Sequence, residues 1–252
     1  MAQRFSKASP LPSSLFAGEL ERLRELNLVT DVLQSGAAGM ASIAVPKVQE
    51  PLLKRPLDII LSFLMMILSV PFSLIVALAI KLEDGGPIFY RQERWGRGGT
   101  RFWAYKFRTM IRNSDGVFGI KQARENDPRI TSVGRVLRGT GLDELPQIIN
   151  IFKGEMSFVG PRALAVGEIL YDGSGQRVNY EKIPDFWRRL SVRPGLTGIS
   201  TIYRPKDTSP RKKFRYDLLY IRKQSFWLDV RLIALSFWIS FRGKWENRGK
   251  KI

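Results

Sequence analysis

The chain has 252 residues, 44% of them hydrophobic, with 41 Lys and Arg against 23 Asp and Glu, and neither cysteine nor histidine. The missing thiols exclude disulfides, thiolate metal sites and a cysteine nucleophile, and the missing imidazoles remove the commonest general base, the commonest zinc ligand and any Ser-His-Asp triad. Enzymatic chemistry would fall to carboxylates, Lys, Arg, Ser/Thr, Tyr or a hard oxygen-bound metal, and a net charge of +18 implies an anionic partner: nucleic acid, an acidic membrane face or a phosphorylated substrate.

Residues 1–50 read as an extension. A Ser- and Pro-rich start is followed by an amphipathic helix around Glu19–Leu26 and a small-residue linker at 36–42. No early apolar core with a cleavage site is found, so no signal peptide is expected. Lys54-Arg55-Pro56-Leu57-Asp58 then leads into 22 uncharged residues, Ile59–Ile80, long enough to cross hydrocarbon as a helix. Pro71, just past the middle, lacks an N–H and crowds the carbonyl of Ile67, and Ser69 nearby can satisfy a freed backbone group. Basic residues flank the run on both sides: Lys54 and Arg55 before it; Lys81, Arg91, Arg94, Arg97 and Arg101 after it. Because basic flanks favour the cytoplasmic side, the pattern predicts a re-entrant helix that breaks at Pro71 and returns, with a kinked spanning helix as the alternative.

Glu83–Pro87 reads as a turn. Ile88–Arg94 and Phe102–Met110 alternate like strands around Gly96-Arg97-Gly98-Gly99, which predicts a β-hairpin; residues 112–127 are polar and read as a loop. Arg135 and Arg138, three residues apart, approach an adjacent acid pair, Asp143 and Glu144. That pair lies where a helix is predicted to begin: Pro146 is tolerated in a first turn, apolar residues recur to Phe152, and Gly154 is a stop signal. The partial positive charge of a helix start keeps carboxylates ionised and able to face a metal or phosphate, although Asp and Glu are also ordinary first-turn residues. Gly160-Pro161 forces a turn that presents Arg162, and Arg193-Pro194-Gly195 makes a second basic turn. Residues 212–220 read as helical. Phe226–Phe241, with two tryptophans and two charges, fits a helix in a membrane interface and a buried core helix equally.

The ordered set Lys54–Asp58, the Pro-broken apolar run, Tyr105-Lys-Phe-Arg-Thr-Met110, Leu142-Asp-Glu-Leu145, Met156-Ser-Phe-Val-Gly-Pro-Arg162 and Arg193-Pro-Gly-Leu-Thr-Gly198 resembles the bacterial sugar transferases, the monotopic polyprenyl-phosphate hexose-1-phosphate transferases. The resemblance spans roughly residues 52–245 and implies a short form of the family. It implies transfer of a sugar-1-phosphate from a UDP-sugar to undecaprenyl phosphate, with release of UMP and use of magnesium. It further implies that Asp143 attacks phosphorus to form a covalent phosphosugar intermediate, that Glu144 and Asp143 hold the metal, and that the re-entrant helix seats the site at the cytoplasmic face of the bacterial inner membrane. Lys106, Arg108, Arg138 and Arg162 are the candidate phosphate contacts. Asp217 matches a recurrent acidic position; it reads either as support for the metal or base network or as an ordinary helix carboxylate. This sequence differs from the family pattern in Val70 before the proline, in Ala163 after Pro161-Arg162, and in Ile199–Arg204.

The expected fold is α+β: an N-terminal extension (1–50), a re-entrant membrane helix (51–82), and a cytosolic catalytic domain (83–252) with a short β-hairpin and interfacial amphipathic helices. Membrane lipids are an expected partner and a homo-oligomer is compatible with the chain. A non-enzymatic membrane-surface or scaffold protein explains the charge and the apolar segments but not Leu142-Asp-Glu-Leu145 between basic loops. Nucleic-acid binding leaves the uncharged run without a reason, so no nucleic acid is expected.

Overall fold

The uncharged run forms the interior of one helix, α1 (Lys54–Asp84), in a computed structural model that describes residues 45, 48–114, 127–168, 170–171, 177–183, 185–203 and 209–241. The amphipathic helix and linker expected before residue 43, and most of the polar stretch 112–127, lie outside the described residues. The helix is long and apolar enough to cross a membrane, and only 11% of its most apolar 18-residue window is buried, unlike the core helix of a soluble protein. The helix continues through Pro71, which lacks an N–H and so removes one rung of the ladder. Ser69 donates to the carbonyl of Met66 at 3.1 Å, one residue before the Ile67 carbonyl that Pro71 leaves open. The turn expected at 83–87 starts later, because Gly85 at φ 65° closes the helix after Asp84.

Both ends of α1 dock on the globular part. At the start, the buried Lys54 ammonium donates to the carbonyl of Val159 (2.8 Å), to Tyr220 (2.9 Å) and to Asp229 (2.7 Å). Asp58, one turn on, accepts from the Ser157 hydroxyl and the Phe158 amide, both at 3.0 Å. At the other end Val76 and Ile80 join Phe107 and Leu137 in a buried cluster. Between them the outward side chains, among them Ile60, Leu68 and Leu74, are 67–68% exposed.

The hairpin forms as expected. Strands β1 (Phe89–Trp95) and β2 (Arg101–Phe107) pair antiparallel, with Tyr90 opposite Lys106 and Arg94 opposite Phe102. With a strand period of two, Arg94, Phe102 and Ala104 are buried while Trp103 is exposed on the other face. The chain then enters α2 (Ser132–Thr140), whose Thr131 cap accepts from the Gly134 amide. Gly141, at φ 76°, reverses it into a 3₁₀ turn (Leu142–Gln147) that runs into α3 (Ile148–Lys153). Arg55 of α1 caps α3, donating to the carbonyls of Ile151 and Phe152 at 2.7 Å each. Fully buried Asn150 ties α3 to β2: its amide donates to the Trp103 carbonyl (2.7 Å) and its oxygen accepts from the Tyr105 amide (3.2 Å).

Strand β3 (Ser157–Val159) follows, then the short pair β4 (Leu170–Tyr171) and β5 (Arg177–Val178), α4 (Phe186–Arg189), and β6 (Gly195–Thr197), which runs parallel to β3. The two basic turns meet back to back here. A Cβ on Gly195 would stand 2.0 Å from the Gly160 nitrogen, so neither turn admits a side chain at the contact. Helices α5 (Ile199–Tyr203), α6 (Pro210–Lys223) and α7 (Phe226–Phe241) complete the described chain. Of the two readings of 226–241, the core reading holds for one face of α7: Leu228, Leu232 and Ile233 are buried, while Trp227 and Phe241 are 70% and 88% exposed. Val45 and Glu50, at the end of the stretch read as an extension, pack into the domain, Val45 on the Trp95–Phe186–Phe214 cluster and Glu50 on Arg193.

Candidate active site

The acid pair lies on the 3₁₀ turn between α2 and α3, directly against the inner face of the hairpin. Lys106 reaches across from β2. Its ammonium lies 2.5 Å from Glu144 Oε1 and 3.8 Å from Asp143 Oδ2. Arg162, from the turn after β3, stands 3.6 Å from the same Glu144 oxygen with its side chain 43% exposed. Four of the predicted residues, Asp143, Glu144, Lys106 and Arg162, therefore converge on one site.

Their charges divide unequally. Burial raises the Asp143 pKa, and the negative charge of Glu144 adds to it against the pull of Lys106, Arg138 and Arg162. Burial acts on Glu144 in the same sense, but Lys106, Arg162 and Arg94 outweigh it and hold this carboxyl well below the usual range. The two acids, expected to be favoured alike by a helix start, are therefore shifted in opposite directions, and the charges that hold Glu144 ionised come from Lys106, Arg162 and Arg94. A 3₁₀ turn has little macrodipole to offer, and Asp143, 7% exposed, is governed by desolvation. Lys106 is also buried, which lowers its pKa, while both carboxylates work in the opposite direction.

The other predicted residues lie around this centre. Arg138, in the last turn of α2, reaches Thr109 at 3.4 Å and acts electrostatically on Asp143; Arg135, three residues earlier, is exposed. Arg108 is ion-paired with Asp84 at the end of α1, and its Nε and Nη1 are buried without a hydrogen-bond partner. Asp217 is 2% exposed and pairs with Arg189 at 2.7 Å while accepting from the Ser200 hydroxyl at 2.5 Å. Arg189 in turn donates to the backbone carbonyl of Arg162 at 2.6 Å. Asp217 thus supports the mount of Arg162. Ser69 and Pro71 stay within α1.

Sequence reasoning missed Arg94 and Arg189 as parts of the site. The signal for Arg94 was present, because the period of two in β1 puts it on the face that Lys106 shares. Arg189 gave none; its partners lie 27 and 28 residues away.

No group of three or more acidic side chains that could hold a metal occurs among the described residues, but magnesium commonly takes one or two carboxylates and completes its shell with water and substrate phosphate. Asp143 and Glu144 are the residues that could hold it here, Glu144 being already shared by Lys106 and Arg162.

Comparison with known proteins yields one family match and several curated relatives. A family model described as bacterial sugar transferase matches residues 49–243. The exopolysaccharide production protein PSS of Rhizobium leguminosarum bv. phaseoli is 39% identical over 186 residues, covering 72% of this chain and 91% of that protein. A UDP-glucose:undecaprenyl-phosphate glucose-1-phosphate transferase of Xanthomonas campestris pv. campestris is 41% identical over 172 residues, 66% of this chain but 34% of its own length. A UDP-N-acetylgalactosamine-undecaprenyl-phosphate N-acetylgalactosaminephosphotransferase of Aeromonas hydrophila is 37% identical over 188 residues, 72% of this chain and 42% of that one.

Proposed function

The chain belongs to the bacterial sugar transferase family, and from that premise we propose that it moves a sugar-1-phosphate from a UDP-sugar to undecaprenyl phosphate through a covalent intermediate on Asp143, initiating assembly of an exopolysaccharide or O-antigen type glycan. The observation that supports this most directly is Asp143 itself: a buried carboxylate 3.8 Å from Lys106, next to an acid that Lys106 and Arg162 already occupy.

The bond changes balance without a proton carrier. A carboxylate oxygen of Asp143 attacks the sugar-bearing phosphorus, the bond from that phosphorus to the bridging oxygen breaks, and UMP leaves with the electron pair. A phosphate oxygen of undecaprenyl phosphate then attacks the same phosphorus and releases the Asp143 carboxylate. Each step exchanges one oxyanion for another, which a chain without histidine can perform. Lys106 and Arg162 neutralise charge at the transferring phosphoryl, with Arg138 on the Asp143 side. Glu144, kept ionised, holds both cations in place. Glu144 and Asp143 would hold magnesium, which when bound supplies further charge neutralisation to the diphosphate.

Trapping tests this reading. Incubation with a UDP-sugar alone, followed by digestion and mass spectrometry, is expected to show a hexose-phosphate adduct on the peptide containing Asp143. Labelling elsewhere, or none while UMP is released on adding acceptor, would refute the covalent step. The Aeromonas and Xanthomonas relatives carry different sugars in their names, so a donor panel identifies the hexose.

The pH profile provides a second check. Asp143 must be ionised to attack, so activity rises as pH climbs through its raised pKa, and the acid limb of kcat/KM is expected above the ordinary carboxylate value of about 4. Lys106→Met removes a cation that favours the ionised form and should move that limb higher still. A limb that stays put in this variant would separate it from Asp143.

On the same reading the protein works at the cytoplasmic face of the inner membrane, with α1 bending at Pro71 so that it enters and leaves on one side. A straight helix of 31 residues is ~46 Å long, so a spanning α1 would leave one end beyond the bilayer. Lys54 and Asp84 both bond to the globular part, which supports the re-entrant path. The chain has no cysteine, so Leu52→Cys and Phe89→Cys report topology cleanly. Both are expected to react with an impermeant maleimide from the cytoplasmic side only; labelling on opposite sides would establish a span.

A further inference from the structure

Three consecutive carbonyls of the turn that presents Arg162 are held by donors from three different elements. The Pro161 carbonyl accepts from the Gly195 amide at 2.8 Å, that of Arg162 from Arg189 at 2.6 Å, and that of Ala163 from Arg94 Nη1 at 2.9 Å. The backbone is pinned from residue 161 to 163, while the Arg162 side chain remains half-exposed beside Glu144.

The two arginines that do this differ in charge balance. Arg189 is neutralised by Asp217 at 2.7 Å. Arg94 is 7% exposed and has no carboxylate within ion-pair distance among the described residues. Its second Nη donates only to the neutral amide oxygen of Gln92, at 3.1 Å, and its Nε is buried without a hydrogen-bond partner. Taking an unpaired guanidinium out of water is costly, and a neutral residue would pin a carbonyl at lower cost. Its strongest charged neighbours are Arg162, Glu144 and Glu168, so the field of Arg94 falls on the site. Pinning alone does not account for a cation here.

We propose that Arg94 is a positioning residue of the transfer reaction, fixing the Arg162 turn through the Ala163 carbonyl and adding its unpaired positive charge to the field that Glu144 and Arg162 set at the transferring phosphoryl. It touches neither substrate; it acts through its two neighbours. The kinetic half of this rests on the transferase reading, and the pinning half does not.

The test compares Arg94→Lys, which keeps the charge, with Arg94→Gln, which keeps a donor and loses the charge. Hydrogen exchange of the peptide spanning residues 160–166 reads the pinning without any substrate. It is expected to speed up by about tenfold in Arg94→Ala and to change little in Arg94→Gln; wild-type exchange in Arg94→Ala would overturn the pinning. In the UMP-release assay, kcat is expected to fall about 100-fold in Arg94→Gln with KM for the UDP-sugar nearly unchanged, and to stay within about tenfold of wild type in Arg94→Lys. Equal losses in both variants that track a lowered melting temperature would reduce Arg94 to a structural residue. A raised KM at constant kcat would make it a direct substrate contact. Wild-type protein that releases no UMP from any UDP-sugar would count against the transferase reading and the kinetic half together, while the exchange result still decides the pinning.

Discussion

Asp143→Asn is expected to lower kcat by about a thousandfold or more while leaving the protein folded and on the membrane. Asn has the size and polarity of Asp but no anionic oxygen to attack phosphorus, so neither UMP release nor the phosphosugar adduct should survive. Stability should move the other way. Because the folded-state pKa of Asp143 is raised, its ionised form is disfavoured by folding, and this carboxyl costs stability in full above that pKa, a cost that fades as pH falls from there to the unfolded-state value. Asn carries no such charge, so the melting temperature at neutral pH should equal or exceed that of wild type. Turnover near the wild-type rate would eliminate Asp143 as nucleophile. A collapse of the melting temperature would show the position to be structural. Thermal unfolding and donor turnover on the same preparation distinguish these results.

Lys54→Met should be the most destabilising substitution outside the site. Lys54 is 1% exposed, and its ammonium is shared by Asp229, Tyr220 and the Val159 carbonyl, which joins α1 to β3, α6 and α7. Methionine fills similar space but leaves Asp229 buried beside Tyr220 alone. Breaking a buried pair from one side costs about 3–5 kcal/mol, a drop in melting temperature on the order of 10 °C for a domain of this size. Removing both charges, as in Lys54→Met with Asp229→Leu, should recover much of the loss, because an apolar pair strands no charge. A single variant that melts with wild type would mean that the start of α1 is held by something else. A double variant no better than the single would shift the weight to Tyr220 and the Val159 carbonyl.

The motifs that carried the resemblance serve two purposes, which their spelling does not reveal. Leu142-Asp-Glu-Leu145, Lys106 and Arg162 bring the acid pair and two cations to one site. Lys54–Asp58 and Ser157 instead tie the apolar helix to the domain, and Arg193 joins them by pairing with Glu50 at 2.5 Å and standing 3.6 Å from Asp58. Arg193 read only as part of a second basic turn, because a basic residue before Pro-Gly reads the same whether it faces a ligand or a buried carboxylate.

What could be read from the residues alone was whatever is encoded within a few positions. The uncharged run, the alternating hairpin around its glycines, the acid pair ahead of Pro146 and the stop at Gly154 all rest on local periodicity and turn chemistry, and each is present in the fold. The raised pKa of Asp143 was decided by burial against β2, and the mount of Arg162 by Arg189 and Arg94, which lie 27 and 69 residues from the carbonyls they hold. Lys54 and Asp229, 175 residues apart, meet only when the chain has folded. The energy of a charge depends on which charges and how much water surround it, and topology, not local spelling, supplies both.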